Sequence, residues 1–137
     1  MLKAVDEDGK MACDANSQYF GEAGNYLNLT TRLKSSGKSS SKLGFTITVP
    51  AAGKLFLFMR TGSNSAVRTV TVGGVATATL SVGETNVTTG TVVAADGTVT
   101  ADKSIYTPYE LDATAAGDVT LEFDGSINIY GIEFRAN

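Results

Sequence analysis

Val119-Thr120-Leu121-Glu122-Phe123-Asp124-Gly125-Ser126-Ile127-Asn128-Ile129-Tyr130-Gly131-Ile132-Glu133-Phe134 is the stretch that decides the fold class. Successive side chains of a strand alternate between its two faces, so Val119, Leu121 and Phe123 point one way while Thr120, Glu122 and Asp124 point the other. That is an antiparallel strand with one wet face. Gly125-Ser126 turns the chain. In the strand that follows, Ile127 and Ile129 share a face, and the pattern then changes phase across Gly131, as a β-bulge would make it do.

The same grammar extends upstream. Tyr26-Leu27-Asn28-Leu29-Thr30 alternates, and a short strand is expected near Gln18 to Phe20 within an otherwise polar, acidic stretch over residues 1–22. Phe45-Thr46-Ile47-Thr48-Val49 alternates cleanly, Pro50 to Gly53 supplies turn chemistry, and Leu55 to Met59 is apolar on both faces. These predict a hairpin whose second strand is buried. Val67 to Val72 runs into Gly73-Gly74, a dipeptide that accepts positive φ. Thr77 to Val82, Val87 to Val93, Thr98 to Ala101 after a turn at Asp96-Gly97, and Tyr106 to Leu111 follow at short intervals. About nine to eleven short strands are expected, an all-β, two-sheet antiparallel β-sandwich arranged as a jelly roll.

Composition agrees with that reading. Thr, Val, Gly and Ala dominate the 137 residues, Pro occurs twice, and no window carries a sustained helical repeat. The length suits one domain, which buries roughly two-thirds of the surface its unfolded chain exposes. No apolar run is long enough to span a membrane and no basic-then-apolar leader is visible, so neither a membrane span nor a retained secretory signal is expected. The single cysteine, Cys13, has no internal disulfide partner and is expected to be a small buried side chain.

Missing residue types narrow the chemistry. With no histidine, Ser-His-Asp and Cys-His systems, imidazole bases and His-ligated metal sites are excluded. Glu110, Asp112, Glu122, Asp124 and Glu133 sit at solvent-facing or strand-end positions, which fits a wet surface better than a carboxylate pair for glycoside hydrolysis. Asp6-Glu7-Asp8-Gly9 resembles part of a calcium loop without its full spacing, and reads as a solvated stretch. No metal, cofactor or catalytic residue is expected.

Charge is distributed unevenly. Between Ala23 and Gly83 stand seven cations, Arg32, Lys34, Lys38, Lys42, Lys54, Arg60 and Arg68, and no carboxylate, although the chain is net −3. A one-signed stretch makes a local field that attracts a ligand of the opposite sign. The competing account is a soluble Lys/Ser loop from Lys34 to Lys42, with lysines that deter strand-edge aggregation. Nucleic acid is disfavoured by a pI near 4.8 and the absence of Trp. A polymer carrying one carboxylate per sugar suits lysines, because each meets a fixed point charge without needing a stacking platform. A neutral glycan would instead need rings such as Tyr106, Tyr109 and Tyr130.

The order of Leu33-Lys34, Phe45-Thr46-Ile47-Thr48-Val49-Pro50, Leu55 to Met59, Gly62-Ser63-Asn64-Ser65 and Arg68-Thr69-Val70, closed by Gly125 to Phe134, resembles the β-sandwich domains attached to bacterial pectate lyases. It is similar in particular to the pectin-binding carbohydrate-binding modules (family seventy-seven) of plant-cell-wall-degrading enzymes of anaerobic bacteria. The resemblance covers roughly residues 33–134. It implies a metal-free site where lysines engage galacturonate carboxylates, with low esterification preferred. It also implies a secreted, extracellular, monomeric module of a larger enzyme, as in a cellulosome, with no nucleic-acid or membrane partner. Charge and expected exposure select Lys38, Lys42, Lys54 and Lys103 as the ligand-binding candidates. Arg68 joins them, although it alternates in phase with Val70 and Val72 and so also suits a structural role.

Overall fold

The computed structural model describes residues 2–6, 11–22, 24–35, 43–61, 67–83 and 86–137. Twelve strands run through them: β1 (Leu2–Asp6), β2 (Met11–Glu22), β3 (Asn25–Ser35), β4 (Leu43–Val49), β5 (Gly53–Thr61), β6 (Arg68–Gly74), β7 (Ala78–Val82), β8 (Val87–Val93), β9 (Val99–Tyr106), β10 (Tyr109–Ala113), β11 (Gly117–Phe123) and β12 (Ile127–Ala136). They form a five-stranded sheet in the order β1-β4-β11-β6-β7 and a seven-stranded sheet in the order β10-β5-β12-β3-β2-β9-β8. Every pairing is antiparallel except a short parallel contact of β2 with β9. The two sheets close on a core of Phe45, Ile47, Val49, Val70, Val72, Val119, Leu121 and Phe123 from one side and Leu55, Leu57, Met59, Leu111, Ile127 and Ile129 from the other. The all-β sandwich expected from alternation is the architecture observed.

The closing strands behave as read. Val119, Leu121 and Phe123 are buried while Thr120, Glu122 and Asp124 are exposed. In β12, Ile129 lies opposite Met59 but Gly131 lies opposite Phe58, so Tyr130 is the extra residue of a bulge. The bulge allows Ile127 and Ile129 before it, and Ile132 and Phe134 after it, all to pack against the same core.

The expected hairpin of β4 and β5 is not formed. β4 pairs with β1 and β11 in one sheet, and β5 pairs with β10 and β12 in the other. Alternation states which face a strand buries and not which strand it pairs with. Phe45-Ile47-Val49 and Leu55-Leu57-Met59 cover one core from opposite sides, and the Pro50-Ala51-Ala52 corner carries the chain between sheets. Two other expectations change. The stretch from Tyr106 to Leu111 is divided at Thr107-Pro108 into the end of β9 and the start of β10, and the polar N-terminal stretch contains the longest strand, β2, at 12 residues.

The seven-stranded sheet also folds over on itself. Phe20 of β2, Phe58 of β5, Tyr106 of β9 and Tyr130 of β12 form a second buried cluster, with Leu29 and Phe56 packed against it. Strands that are not neighbours in the sheet thus meet across a second, smaller core. This accounts for a β5 that is apolar on both faces: Leu55, Leu57 and Met59 face the main core, while Phe56 and Phe58 face the folded-over strands.

Candidate functional site

A groove of about 580 Å³ lies beside this second core. Arg60 of β5, Gln18 of β2 and Lys103 of β9 line it, with Ser17, Tyr19, Thr89 and Ser104. Its described lining carries no carboxylate. Two bulges flank it. In β2, Ala15 lies opposite Thr31 but Gln18 lies opposite Leu29, so one extra residue around Asn16-Ser17 turns Gln18 and Phe20 inward. In β9, Lys103 lies opposite Gly90 while Thr100 lies opposite Val92, which places a second extra residue next to Lys103. Bulges re-aim side chains, and here each one adjoins a residue of the groove.

Inside the groove, contacts fix Arg60. Its Nη1 donates to Oε1 of Gln18 at 2.6 Å, and its guanidinium sits 5.4 Å from the centre of the Tyr106 ring. Gln18 in turn donates through Nε2 to the carbonyl of Ser104 at 2.9 Å. Arg60 therefore presents a fixed planar cation, whereas Lys103 is an exposed flexible one with no ion pair to any described residue. Asn86 secures the wall nearby: the N–H of Gly83 donates to its side-chain oxygen at 2.9 Å, and its own carbonyl accepts from the N–H of Thr107 at 2.7 Å.

Of the five residues selected from sequence, Lys38 and Lys42 lie outside the described residues, as do most of the acidic stretch after Asp6 and Gly62 to Ser65. Lys103 lies in the groove. Lys54 shares the Arg60 face of β5 but stands at the opposite end of the strand, outside the groove, where it donates to Asp112 at 2.6 Å and lies 3.5 Å from Glu110. The hydrogen bond to Asp112 raises the pKa of its ammonium group. Arg68 packs along Gly125, with its Nε buried and without a hydrogen-bond partner among the described residues. The one-signed stretch is also partly cancelled in space. Arg32 makes a two-point contact with Asp14 of the neighbouring strand, at 2.7 and 3.1 Å, and this bond holds the Asp14 carboxyl below the ordinary carboxylate range. Folding supplies from β2 and β10 the carboxylates that the stretch itself lacks.

The tyrosines considered for stacking are occupied otherwise. Tyr106 and Tyr130 are buried in the second core, and Tyr109 is half-buried with its hydroxyl donating to the carbonyl of Ser81 at 2.6 Å. Among the partly exposed rings are Tyr19 and Tyr26, which meet edge to face at 5.3 Å. Cys13, expected to be buried, is exposed. It stands before the β2 bulge, where Asp14 and Ala15 are exposed as well, so this part of β2 has no covering layer.

Sequence reasoning missed Gln18 and Arg60 as site residues. The available signal was Arg60 in phase with Phe56 and Phe58, on the second buried face of a strand apolar on both sides. No protein-family model matches the chain, and no curated protein matches it in sequence.

Proposed function

We propose that the chain is a non-catalytic binding module for an acidic, carboxylate-bearing polysaccharide of the low-ester homogalacturonan class, and that the groove holding Arg60 and Lys103 is where it binds. The supporting observation is the convergence there of a fixed guanidinium and a flexible ammonium, set among hydroxyl groups. Arg60 offers a planar fork suited to a carboxylate, and Lys103 offers a second point charge for a neighbouring sugar. The hydroxyls of Ser17, Thr89 and Ser104 suit the sugar hydroxyls of such a chain. The resemblance to pectin-binding modules points to the same ligand class, and implies secretion as part of a larger plant cell-wall-degrading enzyme. Neutral-glucan binding through Tyr106, Tyr109 and Tyr130 has less support, since these rings are buried or tied to backbone.

Lys103 is expected to carry ligand contact and Lys54 is not, since the charge of Lys54 is already met by two carboxylates. An exposed ion pair contributes ~0.2–1 kcal/mol, so Lys103→Ala is expected to weaken binding to low-ester homogalacturonan about 1.4- to 5-fold. The salt dependence should fall with it, the melting temperature should stay unchanged, and Lys54→Ala should bind as the unmodified chain does. Equal losses from the two variants would remove the groove from the account.

A further inference from the structure

We propose that Gln18 is the positioning residue of this groove, acting through Arg60 on the ligand; the inference rests on the reading of the groove as an anion site. Gln18 is only 6% exposed, although it carries a polar amide. Its two ends join strands that are not neighbours: Oε1 accepts from Nη1 of Arg60 on β5, and Nε2 donates to the Ser104 carbonyl on β9. The bulge in β2 is what points Gln18 to this place, because without the extra residue its side chain would occupy the opposite face.

A side chain spent only on filling space here would be apolar, like Phe20 two residues further on, which is buried in the second core. An amide is the group that satisfies a guanidinium N–H and a carbonyl at once while adding no charge to the groove. It also sets the distance between the β5 and β9 walls, and with it the separation of Arg60 from Lys103, which is carried on β9 one residue before Ser104. A ligand with charges at a fixed repeat reads that separation, so Gln18 governs the fit of the site without touching the ligand.

The test is the binding of purified oligogalacturonate by calorimetry at two ionic strengths, with the unmodified chain, Gln18→Met, Arg60→Lys and the double variant. Gln18→Met retains the volume and every charge but loses both hydrogen bonds. It is expected to weaken binding about 5-fold, the fold-change of one ordinary net hydrogen bond, while the salt dependence stays that of the unmodified chain. Arg60→Lys retains the charge and loses the planar fork, and is expected to behave likewise. The double variant should lose little beyond the worse single one, because both substitutions undo the same placement.

Binding by Gln18→Met equal to that of the unmodified chain, or losses that simply add in the double variant, would overturn the role of Gln18. Should Gln18→Met not fold, Arg60→Lys decides alone: binding unchanged in affinity and salt dependence would show that placement is not required. If the unmodified chain itself fails to bind oligogalacturonate at low salt, the reading of the groove falls and the inference with it. Binding by the unmodified chain that the variants leave intact overturns the inference only.

Discussion

Replacing Phe20 with Ala tests whether the folded-over half of the seven-stranded sheet is a genuine second core. Phe20 is 1% exposed, and its ring centre lies 5.5 Å from Phe58, 5.4 Å from Tyr130 and 6.1 Å from Tyr106. Tyr106 comes from β9, which pairs with β2, whereas Phe58 and Tyr130 come from β5 and β12, which do not, so the ring joins β2 to strands that are not its neighbours in the sheet. Truncating a buried Phe to Ala costs ~3–5 kcal/mol, against a total of about 5–15 kcal/mol for a typical domain. With an m-value of about 2 kcal/mol/M, the urea midpoint should fall by ~1.5–2.5 M. Tyrosine fluorescence and far-ultraviolet circular dichroism would follow the transition, since the chain has no Trp. Tyr106 loses its support beneath Arg60, so groove binding should weaken even where the variant is folded. A midpoint shift below about 0.5 M would refute the second core, because a loss of that size is what a ring on an open surface gives.

Two further expectations concern single side chains. Burial pushes the Tyr109 phenol up to about 12, above the ordinary value of about 10 that it has once unfolded. The stability linked to its neutral form is therefore complete below about pH 10 and is lost as pH rises through about 12, so the unmodified chain should lose stability over that interval more steeply than Tyr109→Phe. Equal slopes in alkaline unfolding would contradict the burial of this hydroxyl. Cys13, exposed on β2, should react fully with a thiol reagent in native buffer, whereas reaction only after addition of urea would restore the buried side chain that composition suggested.

The parts of the fold legible in the sequence are those carried by short-range alternation. The two faces of β11, the bulge at Tyr130-Gly131 and the turn at Asp96-Gly97 all follow from neighbours within a few residues. The turn is closed by the Gly97 N–H donating to the Ala94 carbonyl at 2.9 Å, with Gly97 at φ 87°. Strand partners were not legible. Phe45-Ile47-Val49 specifies a buried face equally well beside β5 or across a core from it, and only the whole set of strands selects the second arrangement. β2 is not marked by alternation, because Cys13, Asp14 and Ala15 are exposed one after another, and its pairing with β3 supplies the order that its own composition does not.

The candidate site shows the same division. Lys103, selected on charge and expected exposure, lies in the groove, but residues 18, 60 and 103 are too far apart in sequence for any local pattern to bring them together. The excess of cations between Ala23 and Gly83 was a true property of the sequence and a poor guide to the surface. Cross-strand carboxylates at Asp14, Glu110 and Asp112 neutralise part of it once the chain is folded. A field argument made along the chain holds in space only where the strands bring no opposite charge alongside.

The most direct measurement is affinity electrophoresis of the unmodified chain through gels containing low-ester homogalacturonan, beside gels containing xyloglucan or β-glucan, each at low and raised salt. Retardation by homogalacturonan alone, relieved as salt screens the groove cations, is the expected result. Retardation by the neutral glucans, insensitive to salt, or free migration through every gel, would contradict it.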